Sequence, residues 1–441
     1  MKLKSLLKTA CILLVAFSVA GLAVAKSVKE KYKSGKRKLI YNVNKAGQKH
    51  GSYKEYFKNG KLKISCKYNK GKLHGRYTRK SKKGKKVVEK TYKNGELHGV
   101  YSTYDKKGKL VSQKEYVYGQ ARFPMTSKFM KSQINKIARW NPSAQERKDA
   151  ETERLRLHKD KEIPSNFATN KTYAKDRLAG LRKLMMYRLV CNIPYKHLKL
   201  SPKLNAHADG ASFICGKIGR LSHTPPNPGL TKKVYDFCYH GTKKSNLSMN
   251  WRGTKGDTSI DSFMDDSDPS NIDRVGHRRW CLNPAMGYAG VSSIGKYGAL
   301  YCFDQSGPDM KAFPADYDFD YITFPASGYM PASKGFFQPH YAWSVSYNKH
   351  KYRVPDDDKL EVKLYKASAS QCKAKTLEPK GTPLKLSYKG INKDLYGTGP
   401  CIIFLPKKIK IKSGACYIVV IEGLIDREGN PATIKYPVMF F

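Results

Sequence analysis

A strict 24-residue period limits what the first part of this chain can fold into. Gly-x-x-His-Gly occurs at residues 47–51, 71–75 and 95–99, and Gly119 falls one period later. A second glycine keeps the same period at Gly60, Gly84 and Gly108, each time followed by lysine. Tyr53, Tyr77 and Tyr101 stand two residues beyond each His-Gly pair, while Tyr68, Tyr92 and Tyr116 form another register. Two glycine turns per period, with tyrosine and lysine alternating between them, predict two short strands per repeat. The expected product is one curved sheet with aromatic bodies on one face and lysine tails on the other. His50, His74 and His98 sit beside the turn glycines, where they are expected to fix turns and not to build a metal ladder.

Charge narrows the class of partner. The formal net charge is +49, and residues 26–120 alone hold 29 Lys/Arg against 6 Asp/Glu, a net +23. Lys2, Lys4 and Lys8 precede an apolar run from Ala10 to Val24, and Ala23-Val24-Ala25 has the form of a signal-peptide cleavage site. The expected location is therefore secreted or extracytoplasmic, in the periplasm or at the cell surface, after cleavage near Ala25. Behind such a leader, an anionic cell-wall polymer, lipopolysaccharide or a membrane surface is the expected partner of the lysines, and nucleic acid is disfavoured. Nine cysteines follow the leader, with no CxxC pair, which argues against a zinc ribbon. In an oxidising compartment some are expected to pair, with Cys401 and Cys416 as one staple and Cys281 as part of another.

Beyond the repeats, residues 121–165 read as a helical linker. Pro124 and Pro142 interrupt it, and Ser143 with Glu146 forms a capping box before a charged, solvated helix. A helix from Thr172 carries Leu178, Leu181, Met185 and Leu189 on one face. Another opens at Ser201-Pro202, with a stripe of Leu204, Ala208, Ala211 and Cys215 whose small members call for close packing. A third follows Asp257-Thr258 and carries Ile260, Phe263 and Met264. Tyr288–Val291 and Ala299–Phe303 read as adjacent strands. From 318 to 441, short runs such as 343–346, 360–364, 417–421 and 436–440 alternate as β structure, which predicts an all-β sandwich of immunoglobulin-like type.

Two stretches concentrate chemistry. One is Gly276-His277-Arg278-Arg279-Trp280-Cys281-Leu282-Asn283-Pro284, and the other is Leu221-Ser222-His223-Thr224-Pro225-Pro226. The fold is expected to bring His223 and His277 into one cleft. Together with the Leu-rich first helix, residues 200–206 and Ser262-Phe263-Met264-Asp265-Asp266-Ser267, they make residues 166–310 resemble a CAP-superfamily (SCP-like extracellular) domain. The 24-residue units at 41–120 resemble the MORN-variant repeats of antitoxin-like proteins. These resemblances imply a multidomain chain: a β-hairpin repeat sheet over 26–120, the linker, an α/β/α CAP sandwich over 166–310, and the all-β sandwich over 318–441.

The CAP resemblance implies a cleft of two histidines and two acids. His223 and His277 match the histidines and Asp266 one acid. Ser245, followed by Asn246, stands where the other glutamate belongs. Two neutral imidazoles can hold a divalent ion such as zinc, and a flanking carboxylate orients such a ligand; losing a glutamate at Ser245 weakens both metal binding and general-base chemistry. Arg278 and Arg279 could fork onto an anion or pair internally with Asp265, Asp266 or Asp268. Trp280 and Leu282 are expected in the core. No nucleophile elbow is present. The expected function is a non-enzymatic binding protein, held to an anionic surface by its repeats, with a cleft for a lipid- or sterol-like ligand, a metal or a partner. The alternative is a metal-assisted hydrolase of cell-wall or protein substrates; a further one is nucleic-acid binding through the lysine-rich repeats.

Overall fold

The computed structural model describes residues 26–93, 95–97, 99–117, 120–122, 127–160, 171–193, 195–196, 198–304, 306, 320–333, 335–349, 351–353, 359–374, 376–426 and 429–441. The expected signal peptide, Gly119, His98 and Pro124 lie outside the described residues. The chain divides into two compact units. One holds residues up to Gly95 together with Tyr104–Lys109, and the other holds Glu96–Thr103 together with Leu110–Phe441.

The first unit is an antiparallel meander: β1 (Lys26–Lys31), β2 (Arg37–Val43), β3 (Lys49–Tyr56), β4 (Leu62–Asn69), β5 (Gly75–Lys80) and β6 (Lys86–Lys93). Each pairs with the next. The turns explain the glycine period. At 57–61, Gly60 adopts φ 86° and donates to Phe57 O at 2.8 Å, while Phe57 N reaches Lys61 O at 2.8 Å. A side chain at that φ would be strained, so the turn demands glycine. His50 Nδ1 accepts from Lys70 N at 3.3 Å, so this repeat histidine ties one turn to the next.

Register pairs Tyr41 with Tyr53, and the rings of Tyr41, Tyr53 and Tyr68 follow one another at 6.0 and 5.7 Å. Lys49 Nζ lies 5.3–5.4 Å from all three. Cys66 and Val88 are the only buried hydrophobic side chains among the described residues of this unit. Its cohesion comes from the strand ladder and from ring-on-ring and ammonium-on-ring contacts.

The second unit begins with strand remnants of the repeat, of which Leu110–Val117 and Gln120–Arg122 form a hairpin. Helix α1 (Ser127–Arg139) is more than a connector, because Met130 and Ile137 enter the main core. Arg182 also clamps the segment by donating from Nε to Trp140 O at 2.7 Å. Helix α2 (Ala144–Asp160) is the solvated one, with the reciprocal Ser143–Glu146 cap in place at 2.9 and 3.1 Å.

Helices α3 (Lys171–Val190), α4 (Pro202–Ile218), α5 (Lys232–Lys243), α6 (Gly256–Asp265) and α7 (Gly276–Cys281) surround a four-stranded sheet. Its strands run in the order β7 (Lys199–Leu200), β9 (Tyr288–Ile294), β10 (Tyr297–Tyr301) and β8 (Ser245–Met249). Period-two alternation splits the faces. Leu247, Tyr297, Ala299 and Tyr301 pack on Ala208, Ala211 and Cys215 of α4. Ala289, Val291, Leu300 and Cys302 pack with Leu181 and Leu184 of α3 and with Ile260, Phe263 and Met264 of α6. The close approach expected of α4 is severe: a Cβ on Gly290 would meet Leu204 O at 2.1 Å, and one on Gly241 would meet His207 O at 2.1 Å.

The C-terminal strands make two sheets. Tyr321–Phe324, Trp343–Tyr347, Cys401–Pro406 and Leu386–Asn392 are antiparallel neighbours in that order. The other sheet is centred on Cys416–Asp426 and Pro431–Phe440, with Gly328–Met330 joining in parallel. The core does not stop where the sequence suggests a border near 310. One cluster runs from Leu181 and Phe263 through Trp343 and Phe404 to Tyr436.

The expected disulfides are not formed. The nine cysteines among the described residues are all free and buried. Cys401 and Cys416 lie in different apolar clusters, on strands of different sheets. Cys281 faces Asn246 Nδ2 at 3.7 Å, and the Cys302 thiol donates to Asn246 Oδ1 at 3.5 Å. Burial pushes the Cys302 thiol up to about 12 and the Cys281 thiol well above its ordinary range.

Candidate binding cleft

His223 lies in the loop that follows α4, after Gly219 ends that helix in the left-handed conformation. Its Nδ1 meets Thr242 O at 2.8 Å, and Thr242 Oγ1 donates back to His223 O at 3.1 Å. A carbonyl can only accept, so Nδ1 carries the proton and Nε2 is left with a free lone pair.

His277 is fixed the same way by a different partner. Its Nδ1 meets Asp266 Oδ1 at 2.8 Å, and Asp266 Oδ2 accepts from Arg278 N at 3.2 Å. Asp266 caps α6 with φ 46°, and Val275, just before α7, has φ 40°. Both are costly conformations for residues with a Cβ, Val275 most of all. They bracket the loop that delivers His277. Asn246 Nδ2 completes the mounting by donating to His277 O at 2.9 Å.

The two histidines line one cavity of about 530 Å³, and Ser245 and Asn246 border it too. Trp280 and Phe303 stack at 3.8 Å and form one wall, while Tyr396, Leu221 and Leu247 supply further apolar surface. Lys243 and Arg274 stand on its lining, and among the described residues no Asp or Glu does. The fold thus assembles His223, His277 and the adjacent pair Ser245-Asn246 from three separated segments.

Other expected roles move. Asp266 is behind the cleft, holding His277, and does not line it. Ser245 is 1% exposed, and its Oγ is shut away from solvent without a hydrogen-bond partner. Trp280 is a wall residue and not core, whereas Leu282 is buried as expected. Tyr396 carried no signal in the sequence, because it stands in a loop outside any periodic pattern.

Of the two expected uses of Arg278 and Arg279 the internal one is found, with partners other than the expected carboxylates. The two arginines are 0% and 1% exposed and contact no open space for an anion. Arg278 donates from Nε to Met264 O at 2.7 Å and from Nη1 to Ala342 O at 2.7 Å, with Asp265 O as a further partner. Its guanidinium also faces the Phe324 ring at 4.6 Å. Arg279 donates to Asn392 Oδ1 and Gly399 O, each at 2.6 Å, and to Asp394 O. Burial lowers the pKa of both below the ordinary guanidinium range. Both arginines bind the histidine helix to the C-terminal strands, and backbone carbonyls dominate the bonding over the carboxylates expected to pair with them.

The donor set for a metal is short. Among the described residues no group of three His, Cys, Asp or Glu is placed to hold an ion. Structural zinc sites use four protein ligands and catalytic ones three, so two imidazoles alone fall below either pattern. No family model matches the chain, and neither a curated protein nor a solved structure matches it.

Proposed function

We propose that this is an extracytoplasmic binding protein that attaches through its lysine-rich repeat unit and receives a small ligand in the His223–His277 cleft. The cleft carries the reading. Two imidazoles are held with Nδ1 occupied and Nε2 free, beside an aromatic wall, in a cavity within the ~300–1,000 Å³ typical of small-ligand sites. The lipid- or sterol-like character of the ligand, the CAP-type α/β/α sandwich and the MORN-variant repeats remain proposals drawn from sequence resemblance, and the C-terminal immunoglobulin-like β-sandwich one drawn from strand alternation. The proposed partners of the repeats are an anionic wall polymer, lipopolysaccharide or a membrane surface, consistent with the net +23 over residues 26–120.

A binding role suits the cleft better than catalysis, because its obvious chemical groups are already committed. Asp266 spends one oxygen on His277 and the other on Arg278 N, and the Ser245 hydroxyl is inaccessible. The two free Nε2 atoms are what favour the metal-assisted hydrolase as a second reading.

Extraction of the purified full chain followed by mass spectrometry should recover a small molecule, and Trp280→Ala should abolish its recovery. Recovery from the variant equal to that from the parent protein would sink the cleft assignment. Elemental analysis of the parent, His223→Ala and His277→Ala proteins separates the two readings, since only the hydrolase requires a bound metal lost in both variants. Attachment to anionic vesicles or isolated wall should weaken steeply with salt, because the Debye length is only ~8 Å at physiological ionic strength.

A further inference from the structure

A second recess lies in the C-terminal β region, away from the histidines. It has a volume of about 700 Å³, and among the described residues its lining includes Lys366, Lys407, Lys408, Lys410 and His340 but no Asp or Glu. Its apolar surface comes from Leu384, Leu405, Ile409 and Tyr417. We propose that this recess binds a single-chain anionic amphiphile, with the acidic head among the lysines and the chain along the apolar floor.

The recess is built by the fold and is not a chance gathering of mobile lysines. Strand Cys401–Pro406 ends at Pro406, and the three lysines of the following loop are held over the sheet. Lys407 N donates to Lys385 O at 2.8 Å, and Tyr417 Oη donates to Lys410 O at 2.8 Å. Ser387 Oγ donates to Leu405 O at 3.1 Å on the opposite side, and Leu384 N donates to Leu364 O at 2.7 Å. Lys366 enters from the neighbouring strand, where register places it opposite Tyr417. Leu384, Ile409 and Tyr417 also pack on the main core, so the floor is a rigid outcrop of it.

Charge decides the ligand class. Lys366, Lys407, Lys408 and Lys410 make no ion pair among the described residues. The nearby acid, Asp265, is engaged through Oδ2 by His340 Nε2 at 3.1 Å. Four like charges around one recess raise the local potential and draw an anion in. An acid head alone would leave Leu384, Leu405 and Ile409 against water, whereas an alkyl chain is stabilised by each CH₂ it buries there. The volume falls within the ~300–1,000 Å³ range of pockets that enclose small ligands.

The test uses the full chain and dodecyl phosphate below its micelle concentration, titrated calorimetrically against inorganic phosphate and dodecyl maltoside. Dodecyl phosphate should bind at one dominant site, at least about ten-fold more tightly than either half-probe. The double variant Lys407→Glu/Lys410→Glu, at two exposed positions, should weaken it at least about ten-fold. Lys82→Glu/Lys83→Glu, an equal charge change in the repeat unit, should leave it unaltered. Tryptophan fluorescence verifies that the second unit is folded in both variants, and circular dichroism verifies that the repeat sheet is. The proposal fails if the charge-reversed recess binds as the parent does or if the repeat variant loses as much. It fails equally if inorganic phosphate or the maltoside matches dodecyl phosphate.

Discussion

In the repeat unit, Cys66 and Val88 are the only buried apolar side chains among the described residues, whereas the second unit closes around a core that runs from Leu181 to Tyr436. The first is a ladder in which each hairpin leans on its neighbours, and most side chains remain half exposed. The second buries whole arginines and meets most of their donors with backbone carbonyls and side-chain oxygens, although Arg279 Nε has no partner. A ladder without a core can keep a dense lysine surface, because its cohesion is local and its ammonium groups stay in water. A precise cleft needs the other solution, since His223 and His277 are aimed by partners 19 and 11 residues away in the chain. On the function proposed above, attachment and recognition would fall to different kinds of structure.

The comparison can be broken most directly at Arg278. Arg278→Ala would strand Met264 O and Ala342 O in the interior, at ~1–3 kcal/mol each, and leave Asp265 O with Ser267 Oγ alone, for a total on the order of 4 kcal/mol. Trp140, Trp251, Trp280 and Trp343 all lie in the second unit, so urea unfolding followed by tryptophan fluorescence reports on it selectively. A loss below ~1 kcal/mol would mean that the arginine is not what joins the histidine helix to the strands.

Alkali should be the next largest effect. Burial raises the Cys191, Cys238 and Cys302 thiols from an ordinary 9.0 to about 12. A group whose pKa is raised by folding holds its proton more tightly in the native state. Its stabilising contribution is therefore whole below pH 9 and is lost as pH climbs toward 12. Thermal melting of the second unit should fall across that window, and Cys302→Ser should not remove the fall, because the other two thiols remain. A melting temperature that stays level up to pH 11 would contradict the burial of these thiols.

Lys49 tests the ladder. Its ammonium serves Tyr41, Tyr53 and Tyr68, and one period later the same position holds Leu73, then Leu97. Lys49→Ala should cost about 1 kcal/mol, and Lys49→Leu less, since it loses the ammonium-on-ring contacts but keeps a packed stem that the repeat already accepts there. Equal losses from both, followed by tyrosine fluorescence, would show that the charge matters more than the packed stem. The smallest effect is expected at Ser245, whose hydroxyl is buried without a partner. Ser245→Ala should stabilise the second unit by ~1 kcal/mol, and a destabilisation in the same urea assay would mean the hydroxyl has a partner in solution.

Much of the fold was legible because it is written in short periods. The 24-residue glycine register places the hairpins of the repeat unit. The stripe of Leu204, Ala208, Ala211 and Cys215 marks the buried face of α4, and Ser201 caps that helix by accepting from Leu204 N at 3.4 Å. The convergence of His223 with His277 was also legible, through motif spacing. What the motif could not convey was which neighbours each side chain would meet. Arg279 looked free for an anion because Asn392, Asp394 and Gly399 lie more than a hundred residues further on.

The sequence by itself determined the strands, the turns, the helix faces and the imbalance of charge, because periodicity, capping and composition act within a few residues. Only the tertiary structure decided that the cysteines stay apart, that both arginines become internal ties, that Trp280 walls a cavity, and that Nδ1 of each histidine is occupied. Those outcomes depend on pairings between segments distant in the chain. Burial then favours whichever partner satisfies most of the buried donors, regardless of its distance in sequence.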